Sequence, residues 1–129
     1  MPHPLDPLVR LMQTLQERAQ SRPAGSYTTK LMDGGPEKIG SKIREEADEL
    51  IEAAGEFVPS ETDQADVAGP EYQNAREHFV YEAGDLIYHT LVMLAYRGVD
   101  LSEVADELAR REGTSGLVEK ASRDNENTN

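Results

Sequence analysis

Residues 79–96 read FVYEAGDLIYHTLVMLAY, and the class of the fold turns on this stretch. Its apolar residues recur at threes and fours without strand-like alternation, so the spacing predicts a helix. Glu82 and Asp85 are its only acids, and it holds no Lys or Arg. A carboxylate is expensive to bury unless it meets a cationic partner, a bound metal or an open cleft. The flanking bases Arg76 and Arg97 do not lie one helical turn from either acid, so a divalent cation is the expected partner. The stretch approaches the length of a membrane span, but two acids near its middle and polar surroundings indicate a buried helix of a soluble protein.

Working outward, this helix is predicted over 71–96 and ends at Gly98, after which Ser102 is expected to cap a shorter helix through Arg111. Upstream, PSETDQADVAGP (59–70) is acidic, marked by Gly and Pro, and expected to form a long loop. The preceding helix opens at Pro36, after a break at Gly34-Gly35, and stops near Val58-Pro59. It carries Ile39, Ile43, Ala47, Leu50 and Ala54 on one face. Ser26 is placed to cap a short helix through Met32. A first helix over 7–20 presents Leu8, Leu11 or Met12, Leu15 and Ala19. The class is all-α, a helix bundle forming one domain over 5–112, with 113–129 expected to be a frayed tail.

The chain has 129 residues, enough for one domain with a core. Its 25 acidic against 13 basic residues give a net charge of -12, which opposes docking on nucleic-acid phosphates or anionic lipid. It has no cysteine, so no disulfide framework, thiolate nucleophile or thiolate metal site is available, and any metal must be held by oxygen or imidazole. The N-terminus lacks the cationic start and apolar run of a secretory signal, and the expected location is the cytoplasm.

On the upstream helix, Lys42, Glu45, Glu46 and Glu49 share one side, because spacings of three, four and seven return to nearly the same direction. Glu46 falls next to the Ile39/Ile43/Leu50 stripe, and Glu45 and Glu49 lie further round. Taken alone, such a cluster is more often a solvated face than a site. Glu82, Asp85 and His89 form a matching stripe on the other helix, flanked by Tyr81, Leu86, Val92, Met93 and Tyr96. Ile87, Leu91 and Leu94 lie behind it. That helix is therefore expected to be buried on several sides, in a bundle or a subunit interface. Hard oxygen ligands favour Mg²⁺, with Mn²⁺ as the alternative, and such ions usually share their coordination with phosphates. Lys30, Lys38 and Lys42 are available for phosphate oxygens. A di-iron site of ferritin type needs Glu-x-x-His motifs, and the chain has none. His89 is as often a hydrogen-bonded core residue as a ligand, and His3 and His78 have no matching context.

The runs Ser26-Tyr27-Thr28-x-Lys30-Leu31, Glu45-Glu46-Ala47-x-Glu49 and Glu82-Ala83-x-Asp85-Leu86-x-Tyr88-His89, with Gly35, Ile39 and Lys42 between, form a recognisable pattern. It resembles the phosphoribosyl-ATP pyrophosphatase family of histidine biosynthesis, within the MazG-like all-α nucleoside-triphosphate pyrophosphatases. The resemblance implies Mg²⁺-dependent hydrolysis of the α–β phosphoanhydride of phosphoribosyl-ATP by a homodimer or larger oligomer. It also implies Glu45, Glu46, Glu49, Glu82 and Asp85 as metal ligands and Lys30, Lys42, Ser26, Tyr27 and His89 as substrate contacts. Glu46 is the residue expected to orient or deprotonate the attacking water. Arg44 stands where the family often has glycine, and the span from Glu49 to Glu82 is longer than usual. The flanks leave no expected room for the cyclohydrolase often fused to such enzymes. The alternatives are a housekeeping pyrophosphatase acting on dUTP or other NTPs and, from a different class, a non-catalytic helical scaffold.

Overall fold

Among its described residues, 1–58, 74–113 and 123, the computed structural model contains five α-helices and no strand. They are α1 (Asp6–Ser21), α2 (Tyr27–Asp33), α3 (Gly35–Glu56), α4 (Ala75–Tyr96) and α5 (Leu101–Arg110). The expected loop at 59–70, the predicted helical start at 71–73, and the tail from 114 apart from residue 123 lie outside the described residues. The chain falls into two compact units, Met1–Val99 with α1 to α4 and Asp100–Asn129 with α5.

Local chemistry sets the helix ends. Ser26 Oγ accepts from Thr29 N at 3.4 Å to open α2, and Asn74 Oδ1 accepts from Glu77 N at 2.9 Å to open α4. Gly35 at φ 73° makes the break between α2 and α3, and Gly98 at φ 70° follows α4; an L side chain rarely adopts either conformation. The cap of α5 is Asp100 and not the expected Ser102. Asp100 Oδ2 accepts from Ser102 N at 2.9 Å, and Glu103 Oε2 accepts from Asp100 N at 2.8 Å. A Glu three residues after an Asp completes a reciprocal box, which Ser102 cannot form from inside the first turn.

In the first unit, α3 packs most extensively on α4, while α1 and α2 touch each other and α4, and α2 also touches α3. Met12 and Leu15 of α1, Leu31 and Met32 of α2, Ile39 and Ala53 of α3, and Ala75, Leu91, Val92 and Ala95 of α4 are buried. The inward stripe of α3 is therefore Ile39, Glu46 and Ala53, with Ile43, Ala47 and Leu50 half-buried at its side; Ala54, expected inside, is exposed. A seven-residue repeat holds its direction over two turns, and the α4 partner follows the same repeat with Ala75, Glu82 and His89. Within this single chain, α4 is not covered on every side: Val80, Tyr81 and Ile87 are exposed.

Candidate active site

Each of the two seven-residue stripes carries a glutamate where an apolar residue would normally sit. Packing α3 on α4 therefore buries Glu46 to 6 % exposure and Glu82 to 5 %. With half-buried Glu49, one turn on from Glu46, they form a cluster in which one carboxylate oxygen from each residue lies within 4.8 Å of the other two. Three carboxylates this close repel in the absence of a counter-charge. Burial accordingly pushes the Glu46 carboxyl up to about 7, helped by a hydrogen bond with Glu49 and the charges of Asp85, Glu49 and Glu82. Glu46 Oε2 has no hydrogen-bond donor in reach among the described residues.

The remaining acids sit at different depths. Asp85 is half-buried and near enough for its charge to act on Glu46. Glu45 is exposed and held by Lys42, whose Nζ lies 3.2 Å from Glu45 Oε2; that bond pushes the Lys42 ammonium up. Lys30 is exposed in the last turn of α2. The stem of Lys38 packs over Gly34, where any side chain would collide with it.

The two runs that carry the family resemblance meet in space. Tyr27 Oη lies 2.8 Å from His89 Nε2, and Thr28 Oγ1 lies 3.0 Å from Tyr88 Oη. His89 Nδ1 is 2.9 Å from the Asp85 carbonyl oxygen, which can only accept, so the ring nitrogen donates there. A neutral ring then accepts from Tyr27 at Nε2. Partial burial pushes the Tyr27 phenol up, which keeps it a donor. His89 is thus a buried connector of α2 to α4, with its Nδ1 also 4.0 Å from Glu46 Oε1. Ser26 stands immediately before Tyr27 as the α2 cap.

One participant had no assigned role in the sequence. His78 lies one turn before Glu82, and its Nε2 is 3.2 Å from Glu82 Oε1. Glu82 therefore meets a base inside the protein, one turn away, where the expectation had weighed only Arg76 and Arg97 and favoured a cation as the partner. The His78/Glu82 spacing of four is legible in the sequence. Glu56, whose Oε2 is 3.6 Å from His78 Nδ1, is brought there only by tertiary packing. Arg76 and Arg97 are engaged elsewhere, over the Phe57 and Tyr96 rings at 5.7 Å and 5.0 Å.

The chain is an all-α protein of the MazG-like type, with the acidic stripes of two packed helices set against each other. The sequence profile described as phosphoribosyl-ATP pyrophosphohydrolase matches residues 8–112, and the chain belongs to that family. A phosphoribosyl-ATP pyrophosphatase of Rhodopirellula baltica is 64% identical over 123 residues, covering 95% of this chain and 91% of that protein. Those of Rhodobacter capsulatus and Dechloromonas aromatica are 45% and 42% identical, covering 90% and 92% of this chain and 96% and 94% of theirs.

Proposed function

We propose that the chain hydrolyses the α–β phosphoanhydride of phosphoribosyl-ATP to phosphoribosyl-AMP and pyrophosphate, in histidine biosynthesis. The observation that carries this reading is the convergence of Glu46, Glu49 and Glu82 from two helices, in a chain whose relatives are named phosphoribosyl-ATP pyrophosphatase.

The donor set fits a hard divalent cation, Mg²⁺ or in its place Mn²⁺. An oxygen from each of three carboxylates is clustered there, one oxygen is buried without a donor in reach among the described residues, and burial with the neighbouring carboxylates pushes the Glu46 carboxyl up to about 7. Glu46, Glu49 and Glu82 would hold the ion, with Asp85 and Glu45 completing the set at the rim. Bound there, the ion would polarise phosphate oxygens and lower the pKa of a coordinated water. Glu46 orients the attacking water and accepts its proton. The water oxygen bonds to phosphorus as the bridging P–O bond breaks. Lys30 and Lys42 bind phosphate oxygens, Ser26 and Tyr27 line the substrate side, and His89, the substrate contact implied by the resemblance, serves from its buried place by holding Tyr27.

The exposed apolar residues Ile51, Val80, Tyr81 and Ile87 support a homodimer or larger assembly. Light scattering that returned the monomer mass at all concentrations would remove that part of the reading. No helix among the described residues is long and apolar enough to cross a membrane. The absence of cysteine and the acidic charge support a cytoplasmic location without nucleic-acid partners.

Substrate profiling tests the activity. Purified protein with Mg²⁺ is expected to release pyrophosphate from phosphoribosyl-ATP far faster than from ATP or dUTP. Equal rates would move the assignment to a general nucleotide pyrophosphatase, and no turnover of any nucleotide would favour a scaffold.

A further inference from the structure

His78 occupies a bridge between the two acidic helices. Its Nε2 is 3.2 Å from Glu82 Oε1 and its Nδ1 is 3.6 Å from Glu56 Oε2. The side chains pass from 6 % exposed at Glu82 through 19 % at His78 to 52 % at Glu56, so the bridge runs from the buried cluster to the surface. The neighbours of the bridge are fixed. Phe57, next to Glu56, stacks on Phe79, next to His78, with ring centroids 5.8 Å apart and planes at 22°. Arg76, also of α4, lies over the Phe57 ring at 5.7 Å. The end of α3 is thereby pinned to the start of α4, which sets the distance His78 must span.

A carboxylate placed among like charges tends to swing away from them, and a ligand carboxylate is commonly held in place by a hydrogen bond to one of its oxygens. His78 makes such a bond to Glu82. We propose that His78, backed by Glu56, is a positioning residue that fixes the orientation of the Glu82 carboxylate toward a divalent cation. The proposal rests on the reading of Glu46, Glu49 and Glu82 as a cation site. It assigns His78 no contact with the substrate and no coordination to the ion.

The test uses the full chain and Mn²⁺ alone, followed by the loss of the free-ion resonance in electron paramagnetic spectra. His78→Leu keeps apolar bulk and removes the donor, and is expected to weaken Mn²⁺ binding by about 10–100-fold, the usual effect of losing such a support. His78→Gln, whose amide nitrogen reaches the position of Nε2, is expected to restore most of that loss. Circular dichroism checks folding, and if His78→Leu does not fold, His78→Asn, too short to reach Glu82, reads the same quantity against His78→Gln. Parental affinity in the donor-free variant, or no recovery in His78→Gln, would overturn the proposal. A nitrogen coupling on bound Mn²⁺ that vanishes with the imidazole would also overturn it, because His78 would then be a ligand itself. Glu82→Gln separates the two levels: if it leaves Mn²⁺ binding intact, the cation site is wrong, and if it weakens binding while His78→Leu does not, only the role of His78 is wrong.

Discussion

Replacing Glu46 by Gln should stabilise the metal-free protein as the pH rises, although it removes an acid from the centre of the site. Native Glu46 is held up to about 7 against an ordinary value of 4.5. Below about pH 4.5 the native and unfolded chains both keep the proton, and the site costs nothing. Between there and about pH 7 the unfolded chain releases its proton and the native chain does not, so stability falls; above 7 the native carboxyl ionises and the full penalty remains. At about 1.4 kcal/mol per pH unit the penalty is roughly 3 kcal/mol, which for a chain of this size is on the order of 10 °C in Tm. Gln fills the same volume, carries no charge and can donate to the neighbouring carboxylates. Thermal melts of parent and Glu46→Gln in a chelator, from about pH 4.5 to about pH 8, should therefore diverge steadily, with the variant higher at the alkaline end. Adding Mn²⁺ should raise the parent and leave the variant nearly unchanged, because only the parent presents the complete carboxylate set. Parallel curves across this range, or equal responses to Mn²⁺, would refute the claim that α3 and α4 press like charges together.

Loss of turnover should follow depth in the cluster. Glu46→Gln, Glu49→Gln and Glu82→Gln are each expected to reduce pyrophosphate release by more than about 100-fold with helical content intact, Asp85→Asn by somewhat less, and Glu45→Gln least, since Asp85 and Glu45 complete the ligand set only at its rim. Tyr27→Phe removes the partner of a buried ring nitrogen and should cost about 1–3 kcal/mol in denaturant unfolding; Tyr88→Phe leaves Thr28 with a lesser loss. Ile39, fully buried one heptad before Glu46, should cost about 2–5 kcal/mol on replacement by Ala, measured by the same unfolding midpoint.

Much of the architecture was legible in the sequence. Apolar spacing located the helices, and Ser26, Gly34-Gly35 and Gly98 marked ends that the structure respects within a few residues, because caps and breaks are decided by neighbours along the chain. The acid-bearing stretch at 79–96 also signalled a partner within the fold. Less legible was the rotation of α3. A wheel that weights only apolar residues chose Ala54, whereas the packed helix turned Glu46 and Ala53 inward, a rotation set by what α3 packs against and not by its own periodicity. His78 was passed over because a helical His has no single meaning until the residue it faces is known.

The sequence by itself determined the class, most helix ends to within a few residues and the identities of the acidic side chains, all of which depend on local propensity and on periodicity within one helix. Only the tertiary structure decided which acids meet. It brought Glu46, Glu49 and Glu82 together, left Glu45 with Lys42 at the surface, joined Tyr27 to His89 across 62 residues, and set Glu56 behind His78. Those pairings depend on the rotation and axial register of one helix against another, and a chain read one helix at a time contains neither.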